Sequence, residues 1–303
     1  MKQFTGENAV IIDKVSKSFN GSMAVNSVSF DVKQGEIFGL IGPNGAGKTT
    51  TIRMIMDVIK PDSGNIYILG ERLNEYIKNK IGYLPEERGL YRKLTVIDSI
   101  IYLGKLKAVD IHIIKNRSEI LLDRLGMAPH KRKKIEELSK GMGQSIQFLV
   151  AIAHDPQLVI LDEPFAGLDP VNTEIIKEII LELKDQGKAI ILSTHRMNEI
   201  EELCDRIFMI NNGQSVLYGE LSDIKSRYKN NSIFLRIQGE LPKLQGISSI
   251  NEYKDHVELF CDANSSPYEI VSQLIGFGIK IDKFEVSTPS LHDIFIQVVG
   301  GHE

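Results

Sequence analysis

A chain of 303 residues, 42% hydrophobic and 25% charged, has the material for one large globular domain or two smaller ones. Its net charge of −4 gives no basic footprint for gripping nucleic acid through phosphates, so no nucleic-acid partner is expected; the basic run HKRKK at 130–134 reads as solvated surface. No stretch reaches the ~18 consecutive apolar residues of a membrane span, and the opening MKQFTGENAV lacks the apolar core of a secretory signal. Cys204 and Cys261 stand far apart with no partner cysteines at metal-site spacing, and no histidine pair shows HxH or HxxxH spacing. A reducing cytoplasm fits, with no disulfide framework and no zinc site.

The first strong signal in chain order is IFGLIGPNGAGKTTTIRMI. Ile37 to Ile41 predicts a short apolar strand, helical spacing starts at Lys48, and GPNGAGKT between them fits GxxxxGK[ST] in the context that pattern requires. Backbone N–H groups of such a loop surround phosphate oxygens, glycines let the backbone come close, and the helix N-terminus adds positive charge. Lys48 would reach the β and γ phosphates, and Thr49 would give a hydroxyl to Mg²⁺.

IGYLPEERGLY follows, a strand from Ile81 that Pro85 ends before Glu86 and Glu87. The two acids are either plain solvated charge or place one carboxylate toward a metal ion. EELSKGMGQSIQFLVAIAHDP then predicts an amphipathic helix with Ile146, Leu149, Val150 and Ile152 on its apolar side. Ser139, Gly141 and the start of that helix form a second potential anion site. Two phosphate-binding surfaces with one phosphate loop make sense if the second serves the nucleotide of another copy.

In PQLVILDEPFAGLDP, Leu158 to Leu161 is apolar on both faces, as in a central parallel strand, and Asp162 and Glu163 sit at its C-terminal end. Alone this is equally a strand stopping in a polar turn. Beside a phosphate loop, Asp162 becomes an outer-shell Mg²⁺ partner, and Glu163 a general base polarising water toward the γ-phosphate. KAIILSTH predicts a third such strand ending on His195, placed to hydrogen-bond the phosphate and hold the water and Glu163.

In this order and spacing the motifs resemble the ATP-binding subunits of ABC transporters, over roughly Val10 to Tyr218. GPNGAGKTT (Gly42, Pro43, Asn44, Gly45, Ala46, Gly47, Lys48, Thr49, Thr50) is similar to their Walker A, LVILDE to Walker B, and LSKGM to the LSGGQ signature. AGLDP resembles the D-loop with Asp169 at its acidic position, His195 matches the switch histidine, and Phe19 falls where the family stacks an aromatic ring on adenine.

The resemblance implies an α/β fold: a P-loop NTPase core with an N-terminal antiparallel β region and an inserted helical subdomain at about 94–155, all within residues 1–225. It implies ATP and Mg²⁺ as cofactors and a homodimer formed head to tail on ATP binding, each signature closing on the partner's Walker A. Hydrolysis would then power transport, with integral membrane permease subunits as separate chains and this subunit cytoplasmic, peripheral to the cytoplasmic face of the membrane. The alternative is a soluble ABC ATPase acting on ribosomes or nucleic acid.

Two motifs depart from the family pattern. The signature reads Leu-Ser-Lys-Gly-Met, keeping Ser139 and Gly141, and Glu86 stands where the Q-loop normally has glutamine. The resemblance then gives Glu86 the Q-loop role, sensing metal and γ-phosphate. With Lys48, Glu163 and His195 intact, active hydrolysis is expected.

Beyond the core, SDIKSRYKNNS reads as a linker, and residues 226–303 as a small α+β accessory domain. SIFLRIQG and HVELFC predict strands, PYEIVSQLIGFG a short helix ending at glycine, and KIDKFEVSTPSLHDIFIQVVG a strand and a closing helix. This ending resembles the C-terminal segments of ATPases serving ABC-2-type exporters, including the sodium-efflux group, and LPEERGLY and LSKGM in the core resemble that same group. It carries no catalytic constellation and either regulates, supports a dimer, or only stabilises the fold.

Overall fold

The structure, a computed structural model, describes residues 7–87, 89–228, 232–239, 241–262, 265–287 and 289–300. Most of the opening read for a secretory signal, and Lys229–Asn231 of the expected linker, lie outside them. The chain divides into two compact units, Met1–Leu221 and Ser222–Glu303.

The first unit opens with a hairpin of two long strands, β1 (Asn8–Phe19) and β2 (Ser22–Lys33). Strand β3 (Ile37–Ile41), buried throughout, runs through the glycine-rich loop into helix α1 (Lys48–Ile55). Strand β4 (Ser63–Ile68) returns to pair antiparallel with β1, giving a three-stranded sheet in the order β2-β1-β4. A single-turn helix α2 (Glu75–Lys78) leads into β5 (Ile81–Leu84), which stops at Pro85.

Helices α3 (Val96–Lys105), α4 (Ile111–Arg124) and α5 (Lys140–Ile152) follow. Each starts where a side chain satisfies an orphan amide: Thr95 accepts from Asp98 N, Asp110 from His112 N, and Ser139 from Met142 N. Two parallel crossovers come next in sequence: β6 (Leu158–Asp162), α6 (Pro170–Asp185), β7 (Ala189–Thr194), α7 (Met197–Leu203) and β8 (Arg206–Asn211), closed by an antiparallel β9 (Gln214–Glu220).

The six-stranded sheet runs β5-β6-β7-β3-β8-β9. Its central strands β3, β6 and β7 are buried at every residue, which their unbroken runs of Ile, Leu and Val require. The three-stranded sheet packs on it through a shared core in which Val10, Ile12 and Val28 meet Leu40, Ile160 and Ile191. Phe30 stacks on Phe38 at 5.2 Å and packs at a tilt on Phe208 at 4.7 Å.

The expected linker begins as helix α8 (Leu221–Arg227). Asp223 in the first turn and Lys225 and Arg227 in the last match the helix dipole, which makes this polar stretch helical where the two units divide. In the second unit, β10 (Ser232–Gln238), β11 (Ile247–Glu252), β12 (Val257–Cys261), α9 (Pro267–Gly276), β13 (Lys280–Ser287) and α10 (Leu291–Gly300) form an α+β fold. Its antiparallel sheet has the order β11-β12-β10-β13, with Ile270 and Leu274 of α9 packed on Ile233, Leu235 and Leu259.

One close approach fixes how β5 meets the helical layer. A Cβ on Gly82 would collide with the carbonyl oxygen of Ala151 in α5, so only glycine lets that strand lie against that helix. Gly82→Ala is expected to destabilise the protein by about 1–3 kcal/mol, read as a lower midpoint in urea unfolding.

Candidate functional site

The parallel register sets the site. Ile41 pairs with Thr194, and Asp162 with Ser193, so the C-terminal ends of β3, β7 and β6 stand side by side. In an open α/β sheet that edge is where ligands bind. A cavity of about 220 Å³ opens there, lined by Asn44, Gly45, Gly47, Lys48, Thr49, Thr50, Glu86, Asp162 and Glu163 together with Ala24 of β2.

The loop is shaped by its glycines. Gly47, the N-cap of α1, has φ of 114° with its position for a Cβ 2.6 Å from the Ala24 carbonyl oxygen, so conformation and space both demand glycine. Lys48 is buried, and its ammonium donates to the carbonyls of Gly42 at 2.8 Å and Pro43 at 3.1 Å. Burial pulls its pKa down, against the opposing pull of the Glu163, Asp162 and Glu86 carboxylates.

Thr49 donates its hydroxyl to Asp162 Oδ2 at 3.2 Å, joining the first turn of α1 to the end of β6. Asp162 is 1% exposed and its other oxygen, Oδ1, is buried with no hydrogen-bond partner. Burial raises the Asp162 pKa, and the neighbouring Glu86 and Glu163 charges add to the rise. A desolvated carboxylate with one unpartnered oxygen, beside a hydroxyl and the glycine-rich loop, fits a hard cation such as Mg²⁺. Among the described residues no three His, Cys, Asp or Glu side chains gather as a metal cage.

Glu163 follows β6 directly and has φ of 51°, a left-handed conformation uncommon outside glycine. Its side chain is held from β7: Oε1 accepts from the His195 backbone N–H at 3.0 Å and lies 2.8 Å from His195 Nδ1, while Oε2 accepts from the Thr194 hydroxyl at 3.2 Å. His195 itself is more than half exposed. The two strand ends are thus tied through one carboxylate.

Among the remaining candidates, Pro43 and Ala46 belong to the loop backbone, where Ala46 N donates to the Pro43 carbonyl. Phe19, 46% exposed, pairs with Ser22 at the tip of the β1–β2 hairpin, whose second strand brings Ala24 to the cavity. Ser139, Gly141 and Asp169 do not line the cavity and form a second group. Ser139 caps α5, Gly141 lies in its first turn against the Gly167 carbonyl, and Asp169 caps α6 by accepting from Asn172 N at 3.0 Å. Glu86 is exposed at the cavity rim, and Glu87 faces Arg53 at 3.9 Å across open solvent.

Helix α5 departs from the amphipathic reading. Gln144 and Gln147 are buried beside Ile146 and Leu149, so polar side chains lie within its buried face. Gln144 Nε2 donates to the Glu163 and Pro164 carbonyls, each at 3.2 Å. Both glutamines escaped the sequence reading; their spacing of three, one helical turn, inside an apolar run was the available sign.

The comparisons with known proteins agree with this geometry. Residues 25–166 match the ABC transporter family, and residues 219–299 match the C-terminal domain of ATP-binding protein DrrA1-3-like. The chain is 43% identical to the ABC transporter ATP-binding protein YhaQ of Bacillus subtilis, over 95% of this chain and 98% of that protein. It is 33% identical to Nod factor export ATP-binding protein I of a Rhizobium species, over 96% of this chain and 97% of the relative. Among solved structures, an ATP-binding subunit of an ABC transporter superposes with a TM-score of 0.70 at 32% identity, over 73% of this chain and 93% of the other.

The Asp162 geometry has a direct thermodynamic consequence. A carboxyl whose folded pKa lies above its unfolded value costs stability once ionised, and the cost appears as pH rises through the unfolded and then the folded pKa. Asp162→Asn, which keeps an acceptor for Thr49, should therefore raise the thermal midpoint of the nucleotide-free protein at pH 7. The gain should shrink as pH falls toward 3.8, the ordinary aspartate value, when followed by calorimetry.

Proposed function

The chain belongs to the ABC transporter ATP-binding proteins, and from that membership we propose that it hydrolyses ATP with Mg²⁺ to drive a membrane exporter. The observation that carries the chemistry is the convergence of the glycine-rich loop, the buried Asp162 carboxylate with its unpartnered Oδ1, and the Glu163–His195 pair on one sheet edge. In this reading the backbone N–H groups from Asn44 to Thr50 cradle the phosphates and Lys48 shifts from the loop carbonyls onto them. Phe19 supplies an aromatic face for adenine beyond the cavity.

Thr49 and Asp162, with Glu86 at the rim, would hold Mg²⁺, which supplies charge neutralisation on the phosphate oxygens. Glu163 accepts a proton from the attacking water as the water's oxygen bonds to the γ-phosphorus and the bond to the ADP oxygen breaks. His195, carrying its proton on Nδ1, keeps the carboxylate aimed. Ser139, Gly141 and Asp169, grouped away from the cavity, would face the nucleotide held by a second copy, so that ATP joins two chains head to tail.

Among the described residues no helix is long and apolar enough to cross a membrane, so a separate membrane subunit would carry the transport path. That assembly would place this chain on the cytoplasmic face. The Nod factor export relative supports export, and the transporter names of both relatives weigh against the ribosomal or nucleic-acid alternative.

Glu163→Gln is expected to cut ATP turnover by about 10²–10⁴-fold while leaving ATP-dependent dimers that accumulate in size-exclusion chromatography. Turnover at the wild-type rate would refute the base assignment. Glu86→Gln removes a negative charge beside the γ-phosphate and should change the Mg²⁺ concentration needed for half-maximal turnover; an unchanged requirement would remove Glu86 from the metal's surroundings. Affinity purification from native membranes should bring down an integral membrane protein, whereas ribosomes or DNA would favour the soluble alternative.

A further inference from the structure

We infer that Gln147 is a positioning residue that holds the Glu86 loop in register with the phosphate site. Its side chain is 4% exposed on α5, and its Nε2 donates to the carbonyl oxygens of Pro85 at 3.3 Å and Glu87 at 3.0 Å, the two residues flanking Glu86. An amide nitrogen has two hydrogens, and these two carbonyls use both. The opposite amide orientation would set Oε1 against two carbonyl oxygens, so the contacts fix which way the group points.

The arrangement is costly to the fold. Gln147 Oε1 is buried without a hydrogen-bond partner, a penalty that an apolar side chain of similar size would not carry. Packing alone therefore does not account for glutamine here, whereas the clamp on the loop does.

One turn earlier on the same helix, Gln144 makes the matching contact with the carbonyls of Glu163 and Pro164. Two amide clamps, about 4.5 Å apart along one rigid helix, thus fix the Glu86 loop relative to the peptide that carries Glu163. The helix begins at Ser139, which caps it. A displacement of that end by a partner's nucleotide would move the Glu86 loop with it. This consequence rests on the reading of Glu86 and of ATP hydrolysis given above; the positioning contact does not.

The test uses the full chain with Gln147→Leu and Gln147→Met, which remove the donor and keep most of the volume. Hydrogen exchange of a peptide spanning Ile81–Glu87 is expected to quicken about tenfold in both variants, while a peptide covering Ala189–Thr194 keeps its wild-type rate. The Mg²⁺ concentration for half-maximal ATP turnover should rise about threefold or more, with binding of a fluorescent ATP analogue changed less than twofold. Unchanged exchange in the loop peptide overturns the inference. So does equal acceleration in both peptides, or failure of both variants to fold, since each would make Gln147 a general core residue. If the wild-type protein shows no turnover, the hydrolysis reading fails alone, and the exchange rates still decide the role of Gln147.

Discussion

The register between β6 and β7 governs everything at the sheet edge. With Asp162 opposite Ser193, Glu163 falls within reach of the Thr194 hydroxyl and the His195 backbone and ring. Side chains alternate faces along a strand, so a slip of one residue would turn Asp162 away from Thr49 and break both links. Burial of both faces of these strands makes such a slip expensive, because every Ile and Leu would have to find a new pocket. Hydrophobic packing thereby sets the positions of polar groups that are themselves costly to bury.

Those costs concentrate around one volume. Asp162 is desolvated with an orphaned oxygen, Glu163 occupies a left-handed conformation, and Gln147 of α5 buries an Oε1 with no hydrogen-bond partner. Each feature lowers stability if only the fold is considered, and each becomes reasonable once phosphate and a cation share the space. The helical layer is tied to that volume through α5, whose glutamines touch the ends of β5 and β6 while its first turn stays outside the cavity. Ser139, Gly141 and Asp169 sit at the starts of α5 and α6, outside the set of residues that line the cavity.

The strand–loop–helix at Ile37–Ile55 was legible in the amino-acid sequence because its glycines, lysine and threonine have local reasons to be there. Strands β6 and β7 were legible for another local reason, their unbroken apolar runs. The roles of Gln144 and Gln147 were not, since they arise from contacts across 19 and 60 residues of chain that no short-range pattern encodes. Strand β11, Ile247–Glu252, was also missed: as an exposed edge strand rich in Ser, Asn and Glu it needs little apolar character. The stretch SDIKSRYKNNS begins where the two units divide, and its helical start, α8, depends on the order of its charges along the helix, which composition does not reveal.

The central claim is that one chain's phosphate loop works with another chain's Ser139. Mixing two inactive variants tests it most directly: Lys48→Met, which keeps Ser139, and Ser139→Arg, which keeps Lys48. In a head-to-tail dimer the mixed pair rebuilds one intact site from the two copies, so ATP turnover absent from either variant alone should return on mixing. If each variant is inactive and the mixture stays inactive while mixed dimers form, the shared-site account is wrong.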